Sequence, residues 1–166
     1  MRLLYIALLI ALPSILFAQS NYHEGYVVKN NDDTVKGYID YREWSQSPTS
    51  IDFKINKEDK PVLQFNSQTI KKFQISGLET YITYSGLIST NATRFPYLQD
   101  FLDTSKKAST IFLKQVTTGK HLTLFYYEDD LKSYFFIAEI KGQPIELNYY
   151  QYYKYSNDQK NVARAD

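Results

Sequence analysis

Between Gly25 and Tyr41 the chain reads GYVVKNNDDTVKGYIDY, two stretches of period two around one polar turn. Tyr26, Val27 and Val28 make the first stretch. In the second, Val35, Gly37, Ile39 and Tyr41 alternate with Thr34, Lys36, Tyr38 and Asp40, the spacing of a half-buried strand. Asn30, Asn31, Asp32 and Asp33 carry short polar side chains that hydrogen-bond the local backbone and tolerate positive φ. The segment therefore predicts a β-hairpin. A hairpin alone is marginal in water, so later strands have to cover it.

The following sequence supplies them. Ile51, Phe53 and Ile55 alternate with Asp52, Lys54 and Asn56 as a third strand. Lys57 to Lys60 is a charged turn, and Pro61 begins a strand carried by Val62, Leu63 and Phe65. Ser67 is placed to cap a short helical turn running to Lys72, with Ile70 and Phe73 inward. Gln74 to Gly77 leads to a fifth strand-like piece; Tyr81, Ile82 and Tyr84 form another, ended by Ser85-Gly86. Ser89 to Lys107 reads as a loop attached to the core, with a short helix expected over Pro96 to Leu102. From Ser109 to Leu147 the apolar runs are separated only by Thr118-Gly119-Lys120, Glu128-Asp129-Asp130 and Lys141-Gly142. Turns this short join antiparallel neighbours.

Sixteen tyrosines and ten phenylalanines add to the β preference. No strand alternates with a long helix, which excludes a parallel α/β sheet. The expected fold is mainly β: an antiparallel meander, sandwich or open barrel with one or two short helices. The polar stretch from Lys160 to Asp166 reads as the start of a helix, so the chain reads as stopping short of a C-terminal helical segment.

Met1 to Ala18 is expected to be a secretory leader rather than part of the fold. Arg2 gives the positive start, Leu3 to Phe17 is apolar apart from Pro13 and Ser14, and Ala18 is a small residue suited to cleavage before Gln19. The run is shorter than the ~20 residues of a spanning helix, so no transmembrane segment is expected after cleavage. Residues 19–166 are expected to form one β-rich domain, long enough for a self-sufficient core. There is no cysteine, which excludes a lipobox, disulfides and thiol chemistry. The 19 basic and 18 acidic residues nearly balance, and loss of Arg2 completes the balance. No global field favours nucleic acid.

Catalytic and metal signals are sparse. His23 and His121 are the only histidines, neither has a ligand spacing, and His121 reads as a surface turn residue. There is no GxSxG elbow and no Gly-rich phosphate loop. Paired carboxylates hydrolyse glycosides, and Asp32-Asp33, Asp40, Glu79 and Glu128-Asp129-Asp130 are the candidates. Those at turns read as solvated acids, without the cleft that perturbs a catalytic carboxyl. The alternating Asp loop of a calcium site is missing. No cofactor or metal is expected.

Four features stand out as candidate sites. Trp44, the only tryptophan, reads as a core plug or lid, or more sharply as a stacking platform for a sugar. Tyr149, Tyr150, Tyr152, Tyr153 and Tyr155 form a dense strip, either a binding surface of large, low-entropy contact area or an edge strand packing against a missing C-terminal segment. Asp33-Thr34-Val35 fits an Asp-Ser/Thr-aliphatic site that some bacteria O-glycosylate, with Thr34 as acceptor, though a plain turn-to-strand junction explains it as well. Asn91-Ala92-Thr93 matches a sequon.

Gly25-Tyr26-Val27-Val28 and Asp33-Thr34-Val35-Lys36-Gly37-Tyr38-Ile39-Asp40-Tyr41-Arg42 resemble the start of the mature part in a family of uncharacterised exported proteins of Gram-negative bacteria. Trp44, Pro48, Ile51 to Lys54, Ile70-Lys71-Lys72-Phe73, Ile111 to Tyr127, Phe135-Phe136-Ile137 and Pro144-Ile145 continue the likeness. The resemblance implies an exported β-rich domain without catalytic residues to carry over. Some members resemble periplasmic domains ahead of an outer-membrane β-barrel, and chains usually continue with helical sequence. The expectation is an exported, non-catalytic accessory or interaction domain with an envelope or outer-membrane protein partner. The alternative is a glycan-binding or glycan-cleaving protein that uses Trp44 and the tyrosines.

Overall fold

The computed structural model describes residues 21–156 and 159–165. The expected leader, Met1 to Ala18, lies outside them. The described residues form twelve strands and no helix: β1 (Tyr22–Lys29), β2 (Thr34–Asp40), β3 (Ser50–Lys54), β4 (Leu63–Asn66), β5 (Ile70–Ile75), β6 (Thr80–Ser89), β7 (Lys106–Thr118), β8 (Leu122–Glu128), β9 (Ser133–Glu139), β10 (Ile145–Leu147), β11 (Tyr150–Ser156) and β12 (Gln159–Ala165). The first ten make one antiparallel sheet, ordered β10-β9-β8-β7-β6-β5-β1-β2-β3-β4, that does not close into a barrel; β11 and β12 form a separate ribbon.

The opening hairpin is as the sequence reads. Lys29 N donates to the Asp33 carbonyl at 2.8 Å and Asp32 takes φ 70°. Val27 pairs with Val35, and Gly25 with Gly37. Four expectations are corrected. The helical turn from Ser67 is a plain turn: Asn66 accepts from Thr69 N at 3.0 Å, and Ile70 already pairs with Lys29. The helix over Pro96 to Leu102 is an irregular loop, with a cis Phe95–Pro96 bond. The stretch after Lys160 is strand, because it pairs along the tyrosine strip, Tyr152 against Ala163 and Tyr153 against Val162. Ser85-Gly86 also fails to end a strand; β6 runs on to Ser89, with the Tyr84 ring lying over Gly86.

Strand connections force the sheet to curl. Residues 67–69 join β4 to β5, which lie four strand spacings apart in the sheet order. A flat sheet would separate them by about 19 Å, whereas four Cα steps reach at most about 14 Å. The strands β5-β1-β2-β3-β4 therefore wrap around one core of Val27, Ile39, Ile51, Phe53, Ile70, Phe73, Ile75, Tyr81 and Phe112. The other half curls likewise: Ser89 N at the end of β6 donates to Glu146 Oε2 in β10 at 2.9 Å, although the two strands lie four spacings apart in the sheet order. Its core is Tyr84, Ile88, Leu113, Phe125, Tyr134, Phe136 and Ala138.

The two cores lie on opposite faces. Successive residues of a strand point opposite ways, and Phe112 belongs to the first core while Leu113 belongs to the second. Strands β6 and β7 are thus a shared wall, and the sheet has the section of an S. This leaves the far side of each half outside. Around the first core that side is polar, with Tyr38, Lys54, Gln74 and Lys72 on it. Around the second it is not.

Candidate functional site

Three arrangements carry side-chain chemistry. The first is at Trp44. After β2 the chain reverses at Glu43, which takes φ 47°, and Trp44 turns back onto the rim of the first core. Its ring meets Tyr41, Phe73 and Tyr81 edge to face, at centroid distances of 5.3, 6.2 and 5.8 Å. These contacts make it a plug for that core, and it remains half-buried. It also lines two adjoining depressions. The β2–β3 ladder holds only two pairs, Tyr38–Lys54 and Ile39–Phe53. Beyond them the strands part around a slot of about 120 Å³, rimmed by Asp40, Arg42, Trp44, Asp52 and Gln64. A shallower depression of about 450 Å³ shares Arg42, Trp44 and Ser50 with the slot and runs along Ser45 to Thr49.

Polar groups around the slot are tied together. Arg42 Nε donates to Asp40 Oδ2 at 2.7 Å, and its terminal nitrogen lies 3.3 Å from Asp52 Oδ2. Gln64 Nε2 donates to Asp52 Oδ1 at 3.4 Å. The hydrogen bond and charge of Asp40 raise the Arg42 pKa further. The loop itself is pinned to the other half of the sheet: Ser47 N donates to the Glu128 carbonyl at 3.1 Å, Glu128 N donates to Ser47 Oγ at 2.9 Å, and Gln46 Nε2 donates to Asp130 Oδ1 at 2.6 Å.

A second arrangement is buried. Lys132 and Glu146, with side chains 2 % and 3 % exposed, lie 3.4 Å apart. Lys132 Nζ also donates to Ser89 Oγ at 2.5 Å and Asn91 Oδ1 at 2.9 Å, and sits 4.6 Å from the Tyr134 ring centre. Ser89 donates to Glu146 through both N and Oγ. Burial pushes the lysine pKa down, and the Glu146 charge opposes that shift. A hydroxyl beside an amine of lowered pKa is the layout of a base-activated nucleophile. Here Ser89 is fully buried and its hydroxyl is held by two charged neighbours. The cluster does structural work: it fastens β10 to the end of β6 and to the β8–β9 turn. Asn91 Nδ2 extends it to the Tyr149 carbonyl at 3.0 Å, which also puts the sequon asparagine out of solvent.

The third is the outer face of β8, β9 and β10. Cross-strand partners share a face, and the pairs Tyr126–Phe135, Leu124–Ile137, Ile137–Ile145 and Phe135–Leu147 lie opposite the second core. Ile145 is 68 % exposed, Phe135 44 %, Leu147 46 % and Leu122 47 %. The Tyr126 and Phe135 rings lie 5.4 Å apart. This is an apolar sheet surface three strands wide, at the end of the sheet where β10 is the last strand.

The remaining sequence candidates are placed as follows. Tyr150, Tyr152 and Tyr153 are on β11, which pairs with β12. Tyr149 precedes it. Tyr153 N donates to the Gln99 carbonyl at 2.8 Å and its ring lies 5.9 Å from that of Phe95. The tyrosines thus sit against the 91–99 loop, and Trp44 against the first core. Thr34 is exposed at the start of β2, beside the exposed Asp33. His121 is exposed in the β7–β8 turn. Among the described residues no three acids or histidines come together as a metal site, and no helix is long and apolar enough to cross a membrane.

Sequence reasoning missed Lys132, Glu146 and the outer face. Nothing local marks Lys132 as buried. The face had a signal: LTLFYY and SYFFIA are apolar at both parities, whereas a strand with one wet face alternates. Comparison with protein-family models, with curated proteins and with solved structures gave no match.

Proposed function

We propose that the protein is an exported, non-catalytic binding module of the cell envelope, and that it engages a partner protein through the outer face of β8–β10. The observation that supports this reading is the apolar surface of Leu122, Phe135, Ile145 and Leu147. Folded chains seldom leave so continuous an apolar patch to water, and such patches mark interaction sites. Export rests on the leader pattern of Met1 to Ala18. The non-catalytic reading is supported by the enclosure of Ser89 and by the exposure of Asp32, Asp33 and Asp130 at their turns.

The test uses the mature protein as bait on detergent extracts of its native envelope, compared with Phe135→Lys and Ile145→Lys. Both positions are exposed, so the variants keep the fold. A discrete partner held by the parent and lost by both variants supports the reading. Capture that is equal for all three, or absent for the parent, refutes it.

A further inference from the structure

The geometry points to an oligosaccharide-binding groove formed by the slot between β2 and β3 together with the depression beside Trp44. This site is separate from the outer face of β8–β10 and does not depend on it.

The argument from shape is that the two depressions share Trp44, Arg42 and Ser50, so they form one continuous groove bent around an indole. An indole held on its other sides by Tyr41, Phe73 and Tyr81 is rigid and loses little entropy when a ligand ring packs on it. The slot exists because the β2–β3 ladder stops after two pairs. The loop that walls the groove is fixed at its far side by its bonds to Glu128 and Asp130, so the groove is already formed without a ligand.

Chemistry selects the ligand class. Beyond Trp44 and Pro48, the larger depression is lined by the hydroxyl and amide side chains of Ser45, Gln46, Ser47, Thr49 and Ser50, with one charge of each sign from Arg42 and Glu43. A lipid chain would meet polar walls there. A phosphate would meet one cation, Arg42, already shared by Asp40 and Asp52. A neutral sugar matches both parts. The apolar face of its ring packs on the indole, and its hydroxyls donate to Asp52 and accept from Gln64 and Arg42. The Asp52 bonds, at 3.3 and 3.4 Å, are long for a charged acceptor, which leaves that carboxylate able to accept more. The two adjoining depressions, about 120 and 450 Å³, place one ring in the slot and the next over the serine-rich loop.

Trp44 is the sole tryptophan, so its emission reports the groove without labelling. The experiment titrates the mature protein with neutral hexasaccharides of gluco-, xylo-, manno- and chito- type while following that emission. The expected result is a saturable shift with at least one of them. Asp52→Asn combined with Gln64→Ala, which changes only rim side chains, should weaken binding about tenfold or more with unaltered thermal melting. Calorimetry on Trp44→Phe should show the same loss. A flat emission across the panel overturns the proposal, as does binding that the double variant leaves unchanged. Loss of binding in Phe135→Lys would overturn it too, by placing the ligand on the other face.

Discussion

Gly37 in β2 lies directly beneath the Lys54 carbonyl of β3. A β-carbon built on it would collide with that oxygen and come 2.5 Å from Cζ of Phe53. The Phe53 ring fills the space a side chain would take, and the ring is fully buried in the first core. Opposite Gly37 in the ladder is Gly25, whose added β-carbon would collide with the Gln74 carbonyl. The two glycines are where the curled half of the sheet is tightest.

Gly37→Ala should therefore destabilise the protein by about 2 kcal/mol, the scale of overpacking a filled site. Urea unfolding followed by circular dichroism measures it. Gly77→Ala is a control of a different kind: nothing lies within 4 Å, but φ is +73°, so its cost is conformational, about 1 kcal/mol.

Neighbouring residues of β9 should behave oppositely. Phe136 is fully buried in the second core and Phe135 is half-open on the outer face. Phe136→Ala should cost about 3–5 kcal/mol. Phe135→Lys should change stability by no more than about 0.5 kcal/mol. Equal losses at the two positions would mean that the outer face is covered.

Lys132 and Glu146 form a buried pair, and removing one partner leaves a charge without its counterion. Lys132→Met and Glu146→Gln should each cost about 3 kcal/mol. The double variant should cost clearly less than the two together, because no lone charge remains. A double-mutant cycle in urea tests this. Additive losses would show that the two residues act independently.

Glu128 gives the fold an acid limit. Tyr126 and Arg94 both bond its carboxylate and hold its pKa below the usual 4.5. A carboxyl whose folded pKa is depressed stabilises the fold above its unfolded value. That contribution is lost as pH falls from about 4.5 through the folded value. The side chain is partly exposed, so the loss is at most about 1 kcal/mol. Glu128→Gln should flatten the decline in stability over that interval, read from urea midpoints at successive pH values.

Much of the fold is legible in the sequence because the information is local. The hairpin of β1 and β2 is written in one alternation and one polar turn, and the β7-to-β10 meander in three short turns. The misread stretches depend on distant partners. Residues 67–72 have a helix-start pattern, but Ile70 is claimed by Lys29 of β1. Residues 159–165 are polar and lack strand alternation, yet they pair with the tyrosines of β11. The insertion of β1 between β2 and β5 follows from the curl, which no local pattern announces. The site divides in the same way. Trp44 stands out by its rarity, whereas Asp52 and Gln64 acquire meaning only when β3 and β4 bring them beside it.

The account depends most on the second half of the sheet having one packed face and one bare apolar face. Methyl signals of the protein, recorded with a soluble gadolinium chelate, read this directly. The account predicts strong broadening of the Leu122, Ile145 and Leu147 methyls. Those of Ile51, Ile88 and Leu113, all at most 2 % exposed, should be protected. Protection of Ile145 and Leu147 equal to that of Leu113 would contradict it.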